Sequence, residues 1–111
     1  MKTEHISFLL KDMGLSGKYV GHGRMVTAIE LALEEDLRLT AVVREIYVKI
    51  GEMHQCTWYA AEHSLRTGIL IIWNRNAGKL CGISGLELPY PPTTSEFLDI
   101  MVTYIQRTET R

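Results

Sequence analysis

No stretch of this chain constrains its fold more than residues 57–75, TWYAAEHSLRTGILIIWNR. At about 100° per residue, Ala61, Leu65, Ile69 and Ile72 share one face of a helix, while Tyr59, Glu62, His63 and Arg66 project together elsewhere. The polar stripe occupies the first turns only. From Gly68 to Trp73 the segment is apolar almost all the way round. A helix of this make is buried at one end and stands out at the other. The β-branched run GILIIW would also suit a strand, but helical stops flank it and the 3.6-residue period runs through it. Thr57 is the expected N-cap, and Asn76 and Gly78 the expected C-terminal stop.

The rest of the chain reads as helix too. Residues 5–13 form a short amphipathic helix with Ile6, Leu9, Leu10 and Met13 on one face and Gly14 as its stop. GLSGKYVGHG is a glycine-punctuated connection. A second helix is expected from about Arg24 to Leu37, with Met25, Ile29, Ala32 and Leu33 inward and Glu30, Glu34, Glu35 and Asp36 on its solvated side. A third begins near Thr40, turns Val42, Val43, Ile46, Tyr47 and Ile50 inward, and stops between Gly51 and Gln55. KLCGISGLELPYPP is expected to be a loop with at most one helical turn, its prolines barring a helix at its end. The last helix opens on a T-x-x-E capping box, Thr93 and Glu96, and repeats apolar residues at Phe97, Ile100, Met101, Tyr104 and Ile105. The fold class is therefore all-α, a compact domain of five to six helices, with residues 1–111 as a single unit.

Composition narrows the function classes. The chain has 111 residues, 46% of them hydrophobic and 23% charged, which is the make-up of an ordinary folded domain. A formal net charge of -1 excludes a broadly basic surface, so any binding to an anionic polymer must come from local charge. No apolar run approaches the roughly 20 residues that span a bilayer, and MKTEHISFLLKDMG is too short and too charged in its apolar part for a signal peptide. The expected location is cytoplasmic. The two cysteines, Cys56 and Cys81, are expected to be reduced core residues. His54, Cys56, His63 and Cys81 include metal-ligating types, but their spacing matches no CxxC or HxxxH pattern, and no metal or cofactor is assigned. The four histidines, His5, His22, His54 and His63, are scattered and read as surface or capping residues. No P-loop, dinucleotide fingerprint or G-x-S-x-G points to an enzyme.

The third helix and the 57–75 helix, joined by a short turn containing Gly51, have the outline of a helix-turn-helix, which sets the start of its second helix against base edges and packs the remainder on the domain. Base reading is then assigned to Tyr59, Glu62, His63 and Arg66. Arg66 is suited to fork onto guanine O6 and N7, and Glu62 to accept from a cytosine amine. Phosphate contacts fall to Thr57 at the helix start and to the cations Lys49, Arg44, Arg75 and Lys79. The plainer alternative is that Glu62 and Arg66, four apart, form a solvated ion pair.

Several segments carry a family resemblance. LLKDMGL, VGHGRMVTAI, REIYVKIGEMH, CTWYAAEHSLRTGILIIWNRN and PTTSEFLD follow one another as the corresponding motifs do in the C-terminal DNA-binding effector domain of stage-zero sporulation protein A. Over nearly its whole length the chain resembles that family. The resemblance implies a transcriptional regulator that binds a short promoter box, TGTCGAA, in double-stranded DNA. Effector domains of this kind also meet one another on tandem sites through the last helix, here through Phe97, Met101 and Tyr104; RNA polymerase is a further candidate partner. No receiver domain is expected within these 111 residues. The family's glutamate and second recognition arginine are matched by Glu62 and Arg66. Where it has further cations, this chain has His63, Ala60 and Val20. An alternative of a different class is a degenerate DNA-binding fold acting as a dimerisation or anti-regulator module, for which Trp58 and Tyr59 offer exposed aromatic anchors.

Overall fold

The computed structural model describes residues 2–109. Five α-helices follow one another: α1 (Lys2–Asp12), α2 (Val20–Glu34), α3 (Val48–His54), α4 (Trp58–Ser84) and α5 (Thr94–Glu109). A 3-10 turn (Asp36–Thr40) and a π-helical turn (Val43–Tyr47) lead into α3. Among the described residues there is no strand, and none of the helices is long and apolar enough to cross a membrane.

The centre of the molecule is α2. Met25, Ala28, Ile29 and Ala32 are wholly buried on it, and α1, α4 and α5 all pack around it. Ile6, Leu10 and Met13 of α1 reach that core, as does Leu15 just beyond it. Gly14, at a φ of 101°, makes the turn between them, a left-handed conformation that costs glycine little. α5 begins as its capping box dictates. The Thr93 N–H donates to Glu96 Oε1 at 2.8 Å, and the Glu96 N–H to Thr93 Oγ1 at 3.2 Å. Its apolar stripe, Phe97, Met101 and Ile105, is fully enclosed.

Four expectations need correction. α2 starts at Val20 and ends at Glu34, so Glu35 and Asp36 lie beyond the helix, and Glu35 accepts from the Leu37 N–H at the head of the 3-10 turn. Val43 is 49% exposed, because the wider π turn shifts the phase of the pattern and leaves Ile46, Tyr47 and Ile50 inward. The segment after Asn76 continues as helix to Ser84. Asn76 itself is non-helical (φ -156°, ψ 56°), so the helix is kinked there, and its side-chain oxygen accepts from the Lys79 N–H and caps the next turn. Burial of Leu80 and Ile83 holds that turn on the domain. Finally, His22 is not a surface residue. It is 6% exposed, one ring nitrogen 2.8 Å from Ser7 Oγ and the other 3.2 Å from the Leu15 carbonyl oxygen. With Nδ1 donating to that carbonyl, the neutral ring can accept from Ser7 through Nε2.

Candidate nucleic-acid interface

The turn between α3 and α4 decides how α4 is presented. Gln55 takes the left-handed conformation (φ 57°) at the end of α3, and the Cys56 N–H returns to the Gly51 carbonyl at 3.0 Å. Gly51 lies inside α3, not in the turn. Its role is close approach, since a Cβ there would stand 2.6 Å from the Cys56 backbone oxygen. Thr57 then caps α4, its hydroxyl accepting from the Ala60 N–H at 3.0 Å. Helix, tight turn and capped helix follow as a helix-turn-helix requires.

On α4 the expected inner face is inner: Ala61, Leu65 and Ile72 are fully buried and Ile69 is 2% exposed. Tyr59, His63 and Arg66 stand outward within an arc of about 60°. Leu70 joins them, 44% exposed, so the second half of the helix is less enclosed than its composition suggests. Glu62 lies at the edge of the arc, half-buried, and receives Arg66 in a two-point ion pair: Nε to Oε2 at 2.9 Å and Nη2 to Oε1 at 3.2 Å. The hydrogen bonds that the guanidinium donates to Glu62 raise its pKa above the ordinary value. The pair occupies one edge of the guanidinium fork. The edge formed by Nη1 and the second Nη2 hydrogen faces away and has the two parallel donors that guanine recognition needs. The ion pair and the reading role are therefore compatible.

A wall rises on the Glu62 flank. Tyr47, Pro91, Pro92, Thr93, Thr94 and Ser95 enclose a cleft of about 460 Å³ with Glu62, Arg66, Ile69 and Leu70. Tyr47, from the π turn ahead of α3, and Thr94, at the start of α5, line this cleft together, and burial raises the tyrosine pKa. The opposite flank of α4 carries Ala60, Ser64, Thr67 and Ile71 on one line and has no cation before Arg75, about three turns beyond Ser64. There the first turns of α2 lie against it: Arg24 Nη1 donates to Ser64 Oγ at 2.7 Å, and the Tyr19 hydroxyl to the Ser64 carbonyl at 3.2 Å. Sequence reasoning passed over Arg24 and Tyr19, because the contact joins positions too far apart in the chain for periodicity to pair them.

The expected phosphate-binding residues divide into two groups. Arg44, its side chain 80% exposed, stands in the π turn, and Lys49, half-buried, on α3, both ahead of the turn into α4. Arg44 Nε lies 3.7 Å from Glu45. Arg75 and Lys79 are elsewhere. Arg75 lies about 180° around α4 from Arg66 and donates to the Gly14 carbonyl at 3.3 Å. Lys79, beyond the kink, pairs with Asp12 at 2.7 Å, which raises its pKa. Of the expected dimer contacts, Phe97 and Met101 are enclosed in the core, and only Tyr104 reaches solvent in part. Trp58 and Tyr59 pack edge to face at 5.9 Å and are 47% and 66% exposed. His54 has turned inward to Thr27 Oγ1 at 2.8 Å, and Cys56 and Cys81 are free and half-buried. In comparison with known protein families, residues 6–105 match the family described as sporulation initiation factor Spo0A C terminal.

Proposed function

The chain belongs to the sporulation initiation factor Spo0A C-terminal family, a family of DNA-binding effector domains and not of enzymes, and from that premise we propose that it is a sequence-specific regulator of transcription that sets the first half of α4 in the major groove. One observation carries the reading. Tyr59, His63 and Arg66 project from the capped start of α4 while the opposite face of the same turns is sealed in the core. Arg66 reads a guanine with the free edge of its guanidinium, held in orientation by Glu62. His63 and Tyr59 contact the neighbouring base or sugar. The first-turn N–H groups of α4, with Arg44 and Lys49, meet phosphate.

Anisotropy titration of a labelled duplex carrying TGTCGAA, beside a scrambled duplex, tests this at low and moderate salt. Preference for the box, lost in Arg66→Ala, is expected. Absence of binding to either duplex at low salt would falsify the reading. A second reading is favoured by the exposed Trp58–Tyr59 pair together with Leu70: a module that pairs with another protein through this surface. It predicts assembly without DNA, weakened by Trp58→Ala, in sedimentation of the protein with a full-length relative.

A further inference from the structure

A major groove about 12 Å wide that takes a helix lays a phosphate strand along each of its flanks. On one flank of α4 stand Tyr47 and the 91–95 wall, and Glu62 and Arg66 face it. On the other flank Ala60, Ser64, Thr67 and Ile71 offer no charge. The cation there comes from α2. Arg24 reaches Ser64 Oγ at 2.7 Å, and this is one bond from a group with five donors. Among the described residues no carboxylate lies within ion-pair distance of it. Its platform is firm. The Tyr19 hydroxyl holds the Ser64 carbonyl, and the Tyr19 ring lies so close over Gly21 that a Cβ there would stand 2.3 Å from it.

We propose that Arg24 is a phosphate anchor, binding a phosphodiester of duplex DNA on the flank of α4 opposite Glu62, with Ser64 as its positioning residue. This rests on the duplex-binding reading above. A half-buried guanidinium already tied to Ser64 loses little further freedom on meeting phosphate, so the contact is made without much added ordering cost. It carries no base information, because it lies off the exposed arc that faces the groove floor.

The experiment measures affinity against salt for the TGTCGAA duplex and its scrambled partner, with the native chain, Arg24→Gln, Arg24→Lys and Ser64→Ala. Arg24→Gln is expected to lower the slope of log affinity on log salt by about one and to weaken both duplexes by the same factor. Arg24→Lys keeps the charge and restores the slope. Ser64→Ala keeps the slope while weakening both duplexes a few-fold, the arginine having lost its hold. An unchanged slope in Arg24→Gln overturns the proposal. So does an equal loss of slope in Arg24→Gln and Arg24→Lys, which would assign Arg24 to α2–α4 packing alone. A change in the ratio between box and scrambled duplex overturns it as well, by making Arg24 a base reader. Failure of the native chain to bind any duplex shows before a variant is made; it sinks the underlying reading and this anchor together. The reading survives the anchor's failure if Arg66→Ala still removes the preference.

Discussion

The two ends of α4 carry similar cations and put them to opposite uses. Beyond the kink and just before it, Lys79 is paired with Asp12 and Arg75 with the Gly14 carbonyl, so both fasten α4 to the end of α1. At the start of the helix Arg66 gives one edge to Glu62 and keeps the other, and Arg24 arrives from α2 with a single neutral acceptor. Charge density alone would rank the ends alike. What separates them is unused bonding capacity on a surface that a groove can reach, which is why a chain with a net charge of -1 can still present an anion-binding face.

Neighbouring residues give the largest test of this division. Leu65 and Arg66 adjoin on α4, one fully buried and one exposed. Leu65→Ala should lower unfolding stability by about 2–5 kcal/mol, since it leaves a cavity in the core. Arg66→Ala should leave the urea midpoint close to native while cutting the preference for box over scrambled duplex about tenfold or more. Urea melts and titrations of both variants check the pair. Comparable loss of stability in both would mean that Arg66 is part of the domain's framework, and the contrast between the ends would collapse.

A smaller effect is expected where the turn sets the presentation of α4. In Gly51→Ala the new methyl meets a backbone oxygen, which cannot swing aside as a flexible side chain would. The α3–α4 turn must open, at a cost of about 1–3 kcal/mol in stability. Affinity for both duplexes should fall with it, because the displaced helix no longer enters the groove squarely. Unchanged affinity in a destabilised variant would show that α4 is held by its buried face and not by the turn.

How much of this was legible in the sequence depends on how far apart the interacting groups lie. The Thr93–Glu96 box was readable because both of its bonds close within one turn. The inner face of α4 was readable because Ala61, Leu65, Ile69 and Ile72 recur at helical spacing. Asn76 was read as a stop and is in fact a stop followed at once by a cap; the burial of Leu80 and Ile83 that continues the helix is a tertiary effect. The outward arc of the site was legible, with Leu70 its unexpected member, while the flanks were not. Arg24 meets Ser64, and Tyr47 meets Thr94, across stretches of chain that no periodicity links. His22 escaped for the same reason: its partners, Ser7 and the Leu15 carbonyl, come from α1 and the turn after it.

His22 extends the comparison to a titratable group two residues before Arg24, on the side of α2 that faces α1. Burial is the main reason its pKa is lowered, the Leu15 hydrogen bond opposing it and the Lys11 charge adding to it. The unfolded chain therefore takes up a proton near pH 6.5 that the folded one resists. Stability is fully present above that pH and is lost as the pH falls below it, at no more than about 1.4 kcal/mol per pH unit from this group. Urea melts between pH 7.5 and 5 should show the loss, and His22→Gln should remove this part of it.

The smallest expected effect is the sharpest check on the opening contrast. Lys79→Ala removes a cation that sits in sequence among the residues first expected to meet phosphate, yet its charge is spent on Asp12. An exposed pair of this kind is weak, because solvent screening and side-chain entropy offset most of the attraction, so the urea midpoint should scarcely move. The decisive readout is the salt slope of duplex binding, which should equal the native slope, whereas Arg24→Gln loses about one unit. A loss of one unit in Lys79→Ala would mean that the Asp12 pair opens on DNA and that both ends of α4 face the duplex. Lys79 lies beyond the kink at Asn76, roughly three and a half turns along from Arg66, outside the half of α4 that the groove takes. That outcome would therefore require the duplex to bend around the domain, and a bending assay on the box would then decide between the two geometries.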